Sequence, residues 1–171
     1  MRRVLLDANV ILDVALPRPA HVAASAAVWA QAEQGRIRGF LSAHAVTTIY
    51  YLAGKNLGRT RAQQLVADLV RIFRTAGVDG NVISRALSLG FPDLEDAVTA
   101  AAAESARCEL IVTRDPRGFA ASPVKAVSPE LALASFASEV HEPIEPYDAA
   151  PVRRRRRRSH AGRRSTAASR R

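Results

Sequence analysis

The sequence predicts an α/β domain built on a mainly parallel sheet, and three observations carry that expectation. "VLL" at Val4–Leu6 is a short continuous apolar run, as a strand buried on both faces requires, and "ELIVT" ending at Thr113 reads as a second strand of the parallel type. Segments of helical composition, each with its own stop signal, alternate with these runs. The chain has 171 residues, 48% of them hydrophobic, which suits one domain with a real core.

Taken in order, "VLL" ends at Asp7, and "NVILDVAL" reads as a short helix stopped by Pro17 and Pro19. "HVAASAAVWAQAEQG" is a helix of strong formers closed by Gly35. "IRGFLS" reads as a strand and "AHAVTTIYYLAGK" as the next helix, with Gly54 near its end. In "RTRAQQLVADLVRIFRTAG", Leu65, Leu69, Ile72 and Phe73 share one face, so a single amphipathic helix is expected up to Gly77. "NVISRALSLG" is another helix, followed by the Ala-rich helix of "FPDLEDAVTAAAA". After "ELIVT", "VKAVS" is a short third or edge strand, and "PELALASFA" a helix with Pro129 at its first position.

The domain is expected to span residues 1–138. Residues 139–152 form a Pro- and acid-containing linker, and 153–171 an Arg-rich, low-complexity tail expected to be disordered. The formal charge of +9 is concentrated in that tail. Ten of the 25 basic residues are arginines after Val152, where no Asp or Glu occurs, leaving 15 basic against 16 acidic residues in the rest.

Other classes are excluded by what is missing. Cys108 is the only cysteine, so an internal disulfide and a Cys-rich zinc site are ruled out, and the four histidines show no metal-binding spacing. No apolar run reaches the ~20 residues of a membrane span. Asp7, Asn9 and Asp13 interrupt the N-terminal apolar stretch where an export signal would be continuous. A cytoplasmic protein is expected.

Chemistry is expected at the carboxyl ends of the strands, where parallel sheets bind ligands. Asp7 follows "VLL" directly, and Asp115 lies two residues beyond "LIVT". A helix leading into a parallel strand begins at the rim where that strand ends, which brings Asp93, Glu95 and Asp96 to the same edge. Each has a plain structural explanation: Asp93 caps the helix, Glu95 suits its dipole, Asp7 caps the "NVILDVAL" helix that follows it, and Asp115–Pro116 is a common turn pair. Asp96 fits this least well. It points away from the stripe of Leu94, Val98, Ala101 and Ser105, with small Thr99, Ala100 and Ala103 beside it. The nearest base, Arg114, cannot balance three carboxylates, whereas Mg²⁺ or Mn²⁺ can.

"LLDANVILD", "DLEDAVTAAAA" and "LIVTRDPRGF" resemble, in order and spacing, the acidic motifs of PIN-domain nucleases, and most of all the VapC-type ribonuclease toxins of toxin–antitoxin pairs. The likeness spans about Val4 to Phe136. It implies a three-layer α/β/α domain and a Mg²⁺- or Mn²⁺-dependent endoribonuclease, in which a metal-activated water hydrolyses RNA. By motif matching, Asp7, Asp96 and Asp115 would be the metal ligands, with Asn9 and Thr113 orienting them. It also implies a homodimer and an antitoxin partner. One position departs from the family: its helix glutamate, six residues after a serine such as Ser42, is here Thr48. Either Glu95 or Asp93 substitutes, or one metal binds more weakly, or catalysis is lost. Arg153, Arg154, Arg155, Arg156, Arg157 and Arg158, with Arg114, would contact the RNA backbone. The rival reading is a catalytically degenerate RNA-binding module that uses this arginine run.

Overall fold

The computed structural model describes residues 1–16 and 18–139. Pro17, nearly all of the expected linker and the whole arginine-rich tail, Arg153–Arg158 included, lie outside the described residues. The elements are β1 (Arg3–Leu6), α1 (Ala8–Ala15), α2 (Val22–Glu33), β2 (Arg38–Ser42), α3 (Ala43–Leu57), α4 (Arg59–Ile72), β3 (Arg74–Ala76), α5 (Gly80–Ser88), α6 (Leu94–Ser105), β4 (Leu110–Val112), β5 (Ala126–Val127) and α7 (Pro129–Glu139). Among the described residues every strand pairing is parallel, in the order β3-β2-β1-β4-β5.

The apolar runs fill both faces of this sheet. Val4, Leu6, Leu41, Leu110 and Val112 enter one core with residues of α1, α2, α3, α4 and α7. Their sequence neighbours Leu5, Phe40 and Ile111 enter the other, against α5 and α6. This two-residue alternation is the pleat of a strand covered on both sides, and the result is the expected three-layer α/β/α arrangement. Burying a side chain such as Leu5 or Ile111 completely stabilises the fold by about 2 kcal/mol relative to exposure. Helix α6 is buried from Ala97 through Ala103, so its alanines admit close approach to the sheet. Leu94, expected on its inner stripe, is instead 54% exposed at the helix start.

Two helix boundaries differ from the expectation. Helix α3 runs through Gly54 to Leu57, because Gly54 packs without clash toward Ala62 of α4; the chain turns at Gly58, whose φ of +86° suits glycine. The amphipathic helix does not reach Gly77. It ends at Ile72, and Arg74–Ala76 pair with Phe40–Ser42 as the edge strand β3. Phe73 is the cause: it is buried, lies edge-on to Trp29 at 5.4 Å, and crosses β2 at Gly39. A Cβ at Gly39 would stand 2.6 Å from Phe73 Cδ1, so only glycine leaves that space.

The order of the strands decides where a ligand can sit. From β1 the chain moves outward to β2 and β3, then returns to place β4 and β5 on the other side. The crossovers therefore part between β1 and β4, opening a crevice beyond their carboxyl ends.

Candidate active site

Strand β1 is bonded to β4 up to its last residue, with the Asp7 amide donating to the Val112 carbonyl at 2.9 Å. The side chains immediately beyond the two strands are therefore held side by side. Asp7 is the N-cap residue of α1 by position, yet its carboxylate makes no capping bond. Its Oδ2 instead accepts from Asn9 Nδ2 at 2.6 Å and from the Thr113 hydroxyl at 2.8 Å. Thr113 is fully buried, and its oxygen also accepts from Asn9 Nδ2 and from the Asp115 amide, each at 3.1 Å. Asn9 Oδ1 accepts from the Arg114 amide at 3.2 Å, so one small network orients both strand tips.

Helix α6 brings its first turn to this edge. Asp93 is the cap: its Oδ1 accepts from the amides of Glu95 at 2.7 Å and Asp96 at 3.3 Å. Capping is therefore sufficient reason for Asp93, and it leaves the next two carboxylates free to face outward. Asp115 accepts from the Gly118 amide through Oδ1 at 3.2 Å, closing the turn after Pro116. Its Oδ2 and Asp96 Oδ2 both lie 3.1 Å from the point a Cβ would occupy at Gly118. The two oxygens thus converge on the space that glycine leaves. From α3, the Thr48 hydroxyl donates to Glu95 Oε1 at 3.0 Å.

Crowding shows in the protonation equilibria. Asp96 is pushed up to about 6, first by partial burial and then by the negative charges of Asp7, Asp93, Asp115 and Glu95. Asp7 is also raised: burial outweighs the Thr113 and Ala8 hydrogen bonds and the charge of Arg114. His44 is lowered by burial, against the pull of Glu95, and its Nδ1 lies 2.6 Å from Ser42 Oγ.

A cleft of about 310 Å³ at this edge is lined by Asp7, Asn9, Thr48, Glu95, Asp96 and Thr99, and also by Arg18, Arg114 and His44. The donors on the acidic side are oxygens, which suits a hard cation. Among the described residues, however, no three Asp, Glu, His or Cys side chains stand close enough to hold an ion by themselves. Direct coordination by all of Asp7, Asp96 and Asp115 is therefore not how these side chains stand. Mg²⁺ does not require it, because it keeps several waters and is held through one or two carboxylates. On that chemistry the residues fit the group.

Sequence reasoning missed part of this cleft. Asp13, noticed only as a break in an apolar run, is completely buried beneath it. Its Oδ2 accepts from Ser25 Oγ at 3.0 Å and lies 3.4 Å from Arg114 Nε, while Arg18 Nη1 lies 3.7 Å from Oδ1. Arg114 is thus shared with Asp13 rather than reserved for the acidic cluster. A charged residue on the apolar side of "NVILDVAL" was the available signal. Arg18 and His44 carried none.

No helix among the described residues is long and apolar enough to cross a membrane. No curated protein sequence matches the chain. Among solved structures, it resembles DNA-bound VapBC from Salmonella typhimurium, with 20% identity and a TM-score of 0.59 over 75% of this chain and 99% of that one. A toxin–antitoxin complex from Klebsiella pneumoniae matches at 22% identity and a TM-score of 0.56, covering 74% and 97%. VapC20 of Mycobacterium tuberculosis, a Sarcin-Ricin loop cleaving toxin, matches at 14% identity and a TM-score of 0.54, covering 63% and 86%. At these identities the likeness concerns the fold. The family itself follows from sequence: the PIN domain profile matches residues 3–117, and with the sheet order and the acidic edge already described, this chain belongs to the PIN domain family.

Proposed function

We propose that this PIN domain chain is a Mg²⁺- or Mn²⁺-dependent endoribonuclease, the toxin of a type II toxin–antitoxin pair. One observation carries the reading. Asp7, Glu95 and Asp96 line one cleft with Asp115 at its edge, and the guanidinium that acts on Asp7, that of Arg114, is shared with buried Asp13. Carboxylates left without a counter-charge at a sheet edge are costly unless a cation joins them.

Asp96 and Asp115, whose Oδ2 atoms converge, would hold the cation, with Asp7 and Glu95 completing the set through the waters such an ion keeps. When bound, it would supply an acidified water and charge compensation at a phosphodiester. The chain's own residues keep the carboxylates in place: Asn9 and Thr113 fix Asp7, the turn amide of Gly118 fixes Asp115, and Asp93 fixes the helix start. Glu95 takes the place of the family's helix glutamate. The Thr48 hydroxyl at that position reaches Glu95 rather than acting alone, and Asp93 is engaged as the cap.

The antitoxin partner rests on the structural neighbours solved as toxin–antitoxin complexes. RNA as substrate is supported by the neighbour described as a Sarcin-Ricin loop cleaving toxin, and a homodimer is proposed from the family resemblance alone. The test is calorimetric titration of Mn²⁺ into wild type and Asp96→Asn, beside cleavage of total RNA with and without chelator. Saturable binding lost in Asp96→Asn and chelator-sensitive cleavage are expected. Equal heats in the two proteins, together with no cleavage, would refute the proposal.

A further inference from the structure

The cleft is lined by bases as well as carboxylates. Arg18 and Arg114 line it, and both are tied to the same buried group, Asp13. Two guanidiniums on one carboxylate leave one positive charge in excess. Neither arginine's terminal nitrogens donate a hydrogen bond among the described residues, since the 3.7 Å approach of Arg18 Nη1 to Asp13 is an ion pair only. Asp13 Oδ1 and Arg114 Nε likewise have no hydrogen-bond partner, although both are buried. The side chains of Arg18 and Arg114 are 43% and 28% exposed, and both line the cleft.

Asp13 has no surface to solvate it and no role in the core. Ser25 and the two arginines are its polar side-chain partners, and holding them constrains where the guanidinium forks stand. Fixed, unsaturated forks match the paired oxygens of a phosphodiester, and they match it better than a mobile lysine would. We propose that Arg18 and Arg114, braced from beneath by Asp13, form an anion subsite for a phosphodiester of the nucleic-acid strand whose neighbouring phosphate meets the carboxylates. The role of the strand as substrate rests on the nuclease reading; the anion subsite does not. Arg18 and Arg114 touch the ligand, and Asp13 is a positioning residue.

The test titrates inorganic phosphate into the full chain in magnesium buffer, followed by calorimetry, for wild type, Arg18→Gln, Arg114→Gln, the double variant and Arg18→Lys. Mn²⁺ titrations run in parallel. One saturable event in wild type is expected to weaken about tenfold in each Arg→Gln variant and to vanish in the double variant, since each loses charge-assisted bonds. Arg18→Lys keeps the charge without the fork and is expected to fall between. Asp13→Asn, checked for folding by circular dichroism, is expected to weaken phosphate binding while Arg18→Lys shows that charge alone is insufficient. Phosphate heats identical in wild type and the double variant overturn the subsite. So does equal competition by acetate, which would mark a site for protein carboxylates instead. Loss of Mn²⁺ binding with the phosphate difference intact would remove the cation reading and leave the subsite standing.

Discussion

Asp7 and Asp13 bracket most of helix α1, yet they stand in opposite electrostatic company. Asp13 is wholly buried and is met by Ser25, Arg18 and Arg114. Asp7 accepts from two neutral donors, Asn9 and Thr113, and stands near the negative charges of Glu95 and Asp96, offset by Arg114, which already pairs with Asp13. The fold therefore pairs one desolvated carboxylate directly with guanidiniums and leaves the other with hydrogen bonds and a share of Arg114's charge. Hydrogen bonds at Asp7 orient the group without cancelling its charge. The difference separates a structural carboxylate from one kept available for a ligand.

The sharpest way to break this comparison is to remove each kind of carboxylate and compare signs. Asp13→Ala should destabilise the protein most, by about 3 kcal/mol in urea titrations, because it strands a partly buried Arg114 and leaves Ser25 without its acceptor. A loss below about 1 kcal/mol would mean that the arginines simply turn to solvent. Next in size, Mn²⁺ at a hundredfold excess over its dissociation constant should stabilise wild type by about 2.7 kcal/mol and Asp96→Asn far less. Equal shifts in melting temperature would place the ion elsewhere.

The metal-free protein sharpens the comparison through pH. Asp96 is raised from 3.8 to about 6, so the folded state binds a proton more tightly than the unfolded chain does. Stability from this group is full below pH 3.8 and is lost as pH rises through about 6. In chelator, melting temperature should therefore decline across that window relative to Asp96→Asn. Above it Asp96→Asn should be the more stable protein, by at most about 1 kcal/mol once solvent screening is allowed for. A parallel profile for the two proteins would deny the crowding. The smallest effect concerns Thr48→Val. Losing one exposed hydrogen bond to Glu95 should change stability by under about 0.5 kcal/mol, yet weaken Mn²⁺ binding about threefold. Unchanged affinity would remove Glu95 from the set.

Much of the fold was legible because burial on both faces leaves a mark along the chain. "VLL" and "LIV" lie in strands whose side chains are buried on both faces, where polar residues would be costly. Strand β3 left no such mark: Arg74 and Thr75 are exposed, and only contact with β2 makes them a strand. In the site, the spacing of Asp7, Asp96 and Asp115 and the cap at Asp93 could be read locally. The pairing of Thr48 with Glu95 could not, because 47 residues separate them and only the fold brings residues of α3 and α6, from opposite faces of the sheet, to one edge.

Local chemistry along the chain was enough for the α/β class, the helix starts and the rim on which the acids gather, since each depends on near neighbours and on the direction of a strand. Folding in three dimensions settled which acid pairs directly with the guanidiniums of Arg18 and Arg114. Arginines at 18 and 114 are far apart in sequence, and a buried carboxylate draws them together because a charge removed from water must find its partner in space.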